Sequence, residues 1–163
     1  MKTYYDLIDN IYNYLNGNEN VTTVTFGDIM EVDLSKQSIF PLSHVNVNDV
    51  TFSDHTMTFG INVIVMDIVD EDKDDKQSEA LPYRGLDNKQ DILNTMLTVV
   101  NGLQSSLRRG GMQTNNYELL ESANATLFED RFENLLTGWS LVLNIEVPNT
   151  EMALINANGG SCL

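Results

Sequence analysis

Residues 42–69 read LSHVNVNDVTFSDHTMTFGINVIVMDIV, and the alternation of their side chains decides the fold. On both sides of Asp54-His55, β-branched and aromatic residues alternate with polar ones, the pattern of a β-hairpin with one buried face. Pairing about that turn sets Phe52 opposite Met57 and Val50 opposite Phe59. Continued unbroken, the same register would put Val45 and Val47 opposite Ile64 and Asn62, on the wrong face. One extra residue near Asn48-Asp49, a β-bulge, restores Val47 to Ile61 and Val45 to Val63. In the first half of the second strand Met57, Phe59 and Ile61 are apolar while Thr58, Gly60 and Asn62 are not. From 63 to 69 both faces turn apolar, so one end of the ribbon is expected to be half-exposed and the other covered on both sides. At about 3.3 Å per residue, residues 57–69 reach about 43 Å, against a radius of gyration of about 15 Å for a domain of this size. The ribbon is therefore expected to bend around the core or to project beyond it as an arm, residues 49–58.

Upstream of the ribbon, Tyr4, Leu7, Ile8, Ile11 and Leu15 form one apolar stripe and predict a helix over 3–15, stopped by Asn16-Gly17. Residues 21–26 alternate as a half-buried strand ended by Gly27-Asp28. Residues 29–40 hold isolated apolar side chains at no clear period and read as a loop. Downstream, the acidic tract from Asp67 to Glu79 reads as a solvated loop. A second helix is predicted over 88–108, with Asp87 and Gln90 placed for a capping box and Ile92, Leu93, Met96, Val99, Val100, Leu103 and Leu107 as its core face. Arg108 and Arg109 suit its C-terminal end, and Gly110-Gly111 terminates it. Residues 117–136 fit neither period and read as a short irregular piece followed by an extended one. Residues 139–147 alternate as a last strand closed by Pro148, and 149–163 read as a loose or partner-ordered tail. The expected fold is α+β: a mostly antiparallel sheet with a long hairpin arm and two main helices on one face. Residues 1–148 form one domain.

The 163 residues, 42% of them apolar, are enough for one sizeable core. Nothing approaches a membrane-spanning run, and acids at Asp6 and Asp9 break any secretory signal, so the chain is expected to be soluble and to stay where it is made. Cys162 is the single cysteine, which excludes an internal disulfide and a zinc cluster. Nine basic against twenty-four acidic residues, net −15, repel a phosphate backbone, so sequence-reading of nucleic acid is not expected. The same repulsion suits a wall past which DNA slides.

No constellation carries catalysis. Asp70, Asp72 and Asp74 fit the first positions of a calcium loop, but Asp75 stands where glycine must turn and Leu81 where a glutamate must close the shell. His44 and His55 lie toward opposite ends of the hairpin, and no phosphate-cradling or hydrolase motif is present. An enzyme would need a site gathered from scattered residues such as His44, Asp67 and Arg131. No cofactor and no metal are expected. The candidates for subunit contact, or for the wall of a channel, are Asp49, Phe52, Asp54 and His55 on the arm, Asp70, Glu71, Asp72, Asp74 and Asp75 on the acidic loop, and Arg108 with Arg109.

The segments Val24-Thr25-Phe26-Gly27-Asp28, Phe40-Pro41-Leu42-Ser43-His44-Val45, Val65-Met66-Asp67-Ile68-Val69-Asp70, Gln90-Asp91-Ile92-Leu93-Asn94-Thr95 and Arg131-Phe132-Glu133-Asn134 to Gly138-Trp139 resemble tail-terminator or tail-completion (neck) proteins of tailed bacteriophages, notably those of crAss-like phages infecting Bacteroides. The similarity runs from about Tyr4 to Pro148. It implies a structural virion protein, assembled in the host bacterial cytoplasm, forming a head-tail connector or tail-terminator ring with a central DNA channel. The implied partners are further copies of the chain, six or twelve to a ring, and the portal, connector or tail rings above and below, with DNA only as passing cargo and no membrane. The family offers no catalytic residues to carry over, and the acidic tract at 70–79 departs from its pattern. The rival reading is a monomeric binding module or assembly chaperone with an acidic loop.

Overall fold

The apolar stripe of the N-terminal segment folds as it reads. In the computed structural model, which describes residues 3–70, 85, 87–112, 116–131 and 134–149, helix α1 (Thr3–Asn16) buries Leu7, Ile11 and Leu15. The chain then runs through a short strand, β1 (Thr23–Phe26), and two 3-10 turns (Ile29–Glu31 and Gln37–Ile39) into the hairpin β2 (Leu42–Phe52) and β3 (Thr56–Ile68). Helix α2 (Lys89–Arg109) follows, and β4 (Glu118–Arg131) with β5 (Leu135–Pro148) completes the described chain. The strands form one sheet in the order β1-β2-β3-β5-β4, antiparallel throughout except for β1, which runs parallel to β2.

The hairpin register is the one its alternation requires: Phe52 faces Met57, Val50 faces Phe59, Val47 faces Ile61 and Val45 faces Val63, with a register shift between Val47 and Asp49. The extra residue lets both halves of β2 keep their apolar side chains on the helix-covered face. There Ile61, Val63, Val65, Leu143 and Ile145 meet α1 and the α2 residues Val99, Leu103 and Leu107, all at 0% exposure. Burying each such side chain stabilises the fold by about 2 kcal/mol.

Among the described residues, the opposite face is covered at one end. Leu34 and Phe40, from the segment of 3-10 turns, pack with Leu42, Met66 and Leu136, and Ile64, Ile68 and Phe128 join them. This explains why residues 63–69 are apolar on both faces. The apolar residues of 29–40 show no period because they cap a sheet from irregular turns rather than from a helix or strand.

Three expectations are corrected. The hairpin does not stand out as a separate arm, because β5 pairs with β3 from Pro148 opposite Thr56 to Leu136 opposite Ile68, and the Asn149 amide donates to the His55 carbonyl (2.8 Å). Residues 117–136, read as partly irregular, hold one long strand whose alternation is broken between Leu120 and Asn124, where Leu120 faces Asn144 and Asn124 faces Val142. Four steps along β4 match two along β5, and Glu121 takes up the slack at φ 57°. No capping box opens α2: Asn88 turns its amide to the end of β3, accepting from the Asp70 N–H (2.7 Å) and donating to the Ile68 carbonyl (3.4 Å), while Asp87 accepts from the Lys89 N–H (3.1 Å). The acidic residues 71–79 and the tail beyond 149 lie outside the described residues.

Candidate interaction surface

Each position expected to meet a partner has a definite place, apart from Glu71, Asp72, Asp74 and Asp75, which lie outside the described residues. Asp49 sits at the β2 bulge with its carboxylate over Gly60 of β3, in the space a Cβ there would take. Phe52 is 71% exposed at the hairpin end, beside the exposed turn residues Asp54 and His55. Asp70 is exposed at the far end of β3. The structure therefore places the hairpin turn and Asp70 at opposite ends of the sheet and does not bring them together. Arg108 is drawn inward, its Nη2 donating to the Glu121 carbonyl (2.9 Å) and fixing the left-handed turn of β4, whereas Arg109 is exposed.

Of the scattered residues named for a gathered site, His44 and Asp67 do not meet. His44 and Asp67 stand on opposite faces of the sheet, since His44 faces Ile64 and odd-numbered residues of β3 point the other way. The side chain of Arg131 lies outside the described residues. Among the described residues, no group of three or more His, Cys, Asp and Glu is placed to hold a metal ion, and no helix is long and apolar enough to cross a membrane.

His44 serves instead to fasten β1 and the turn after it to β2. A carbonyl only accepts, so the Gly27 oxygen fixes the proton on Nε2 (2.9 Å), and Nδ1 is left to accept from the Thr25 hydroxyl (2.8 Å). The ring is 1% exposed, and burial lowers its pKa below the usual histidine value, opposed by the Gly27 bond and the nearby Asp28. The unfolded chain takes up a proton on this ring below pH ~6.5 while the folded chain stays neutral. Stability from this group is thus fully present above that value and declines as pH falls toward the lowered folded value. Urea midpoints measured from pH 7.5 to 5.5 are expected to fall in the wild type and to fall less in His44→Gln, which has no ring to protonate. Equal slopes in the two proteins would contradict the assignment.

Sequence reading missed the two flanks of the sheet. Rows of paired residues cross it at a common level: Val24, Ser43, Val65, Trp139 and Leu127 form one, and Phe26, Val45, Val63, Leu141 and Ala125 the next. On one flank β1 ends the sheet, and beyond it the rest of β2 has no outer neighbour among the described strands. Phe26 there is 38% exposed and packs against Tyr12 of α1 with the rings tilted by 39° (centroids 6.1 Å apart). On the other flank β4 has no outer neighbour among the described strands, and Leu127 is 48% exposed. Helix α2 is fastened beside it by Lys89 to Glu129 (2.8 Å) and by Arg108 to Glu121, with Leu97 exposed between these ties. Trp139 Nε1 donates to the Leu93 carbonyl (2.9 Å), holding the same helix onto β5.

The two helices differ in charge, while the β4 edge itself carries Glu118, Glu121, Glu129 and Asp130. Helix α1 carries Asp6 and Asp9 and no basic residue, whereas α2 carries Lys89, Arg108 and Arg109 against Asp91. No protein-family model matches the chain, and no curated protein matches it.

Proposed function

We propose that this chain is a non-enzymatic structural protein of a tailed-phage virion, one subunit of a ring at the head-tail connector or tail terminator through which DNA passes. The observation that carries the reading is the pair of sheet edges, on opposite flanks, that have no outer neighbour among the described strands, each with exposed apolar side chains. A domain with two different sticky flanks repeats head to tail, and such a contact closes into a ring when the rotation between copies divides a full turn. Single strand edges left open are otherwise a hazard that proteins cover or charge. The net charge of −15 supports a bore past which DNA slides without binding. The sequence resemblance supports the same reading, and its first two segments form β1 and the start of β2. The partners are further copies of the chain and the portal, connector or tail rings above and below it.

The test is imaging of phage particles propagated with an epitope tag on this chain. Label or extra density is expected as a ring at the neck or the upper end of the tail. A chain present during assembly but missing from finished particles would instead identify the assembly chaperone.

A further inference from the structure

We infer that copies of this chain join edge to edge, the β4 edge of one adding antiparallel to the β1–β2 edge of the next so that a single sheet runs through the assembly. The inference rests on the ring-subunit reading and specifies its contact.

Strand direction carries the first part of the argument. Because β2, β3, β5 and β4 alternate, and β1 runs with β2, β4 points opposite to every strand on the other flank. A second copy brought alongside by rotation about an axis along the strands therefore meets β4 with strands of opposite direction. That is the antiparallel pairing the sheet already uses. A sheet with an odd number of alternating strands would have met its neighbour parallel.

Side chains carry the second part. At one level the rows end in Leu127 on one flank and Val24 on the other, with Phe26 a row away, all on the helix-covered face. Joining the flanks buries Leu127 against this apolar border and removes two exposed patches at once. In the helix layer the net charge of α2, Lys89, Arg108 and Arg109 against Asp91, is opposite to that of α1 with Asp6 and Asp9, although Lys89 is already paired with Glu129 of its own copy. The β4 bulge leaves residues 124–131 as the regular stretch for pairing, at the level of β1.

Two variants test this, Leu127→Arg on the β4 flank and Phe26→Arg on the β1 flank, each at a part-exposed position and each checked for an unchanged thermal midpoint. Masses are measured by native mass spectrometry and sedimentation of the full chain across a concentration series. The wild type is expected to assemble, each variant alone to be monomeric, and an equimolar mixture to stop at a heterodimer, because each variant keeps the flank the other has lost. Amide exchange of the wild type, independent of any variant, is expected to slow at residues 23–26 and 124–131 on assembly. If Phe26→Arg alone forms dimers that Leu127→Arg cannot, the β4 edges pair with each other and the inference fails. Wild-type assembly that survives both changes also overturns this contact, while leaving the ring reading in place. A wild type that stays monomeric at every concentration overturns the contact, and a neck ring seen in particles would then assign ring closure to other proteins.

Discussion

Gly138→Ala is expected to lower the free energy of unfolding by about 3 kcal/mol or more, a large effect for the addition of one methyl group. Gly138 lies in β5 between β3 and β4, opposite Met66 on one side and Phe128 on the other. A Cβ at this position runs into the Val65 carbonyl oxygen and comes within 2.8 Å of Met66 Cα. These are backbone atoms of a paired strand, so no side chain can rotate out of the way. The methyl group must open the spacing between β3 and β5, and with it the ladder that joins the hairpin to the rest of the sheet. Gly111→Ala is the control, because a Cβ there meets nothing within 4 Å, and it is expected to change stability by less than about 0.5 kcal/mol. Urea unfolding of the three proteins checks both numbers. A Gly138→Ala protein as stable as the wild type would mean that β3 and β5 are not paired in this register.

Gly138 also marks the boundary of what the sequence discloses. The hairpin, its bulge and both helices are legible because each is a local relation: side-chain parity fixes the pairing of Val45 with Val63 and Val47 with Ile61, and an apolar stripe fixes a helix face. The length of β5 is not local. Alternation shows it only over 139–147, whereas residues from Leu135 to Pro148 form the strand and accompany β3 along its whole length. Leu135 to Gly138 were obscured because Leu136, Thr137 and Gly138 are all buried, so no polar face remains to show alternation. In β4 residues 121–123 stand opposite a single residue of β5, which interrupts the ladder without changing the parity, and apolar side chains serve both faces, Leu119 in the first cluster and Phe128 in the second, so no single alternation shows. The parallel pairing of β1 leaves no mark in the sequence at all. At the interaction surface, Phe52 could be found because a hairpin turn is exposed by construction. Leu127 and Phe26 could not, since an apolar residue in an edge strand looks like any core residue until its neighbours are known.

Leu136→Ala and Leu143→Ala are each expected to cost about 2–5 kcal/mol, and the comparison tests whether the two faces of the sheet unfold as one unit. Both side chains are 0% exposed and both belong to β5, but Leu143 packs under the helices and Leu136 against Leu34, Phe40, Leu42 and Met66 on the other face. The second cluster is small and is covered in part by 3-10 turns, so it could have been a satellite that opens by itself. The sheet argues otherwise: Leu42, Met66 and Leu136 are supplied by β2, β3 and β5, which also carry the main core. Loosening them loosens the ladder both clusters share. The urea midpoint is therefore expected to fall for either variant with the slope m unchanged. Seven residues along a strand separate the two sites by roughly 23 Å, so the double variant should lose the sum of the single losses within about 0.5 kcal/mol. A Leu136→Ala protein that kept its midpoint, but exchanged amides rapidly only at residues 23–42, would show that this face opens alone and that the β1 flank is less firmly built than the β4 flank it is expected to meet.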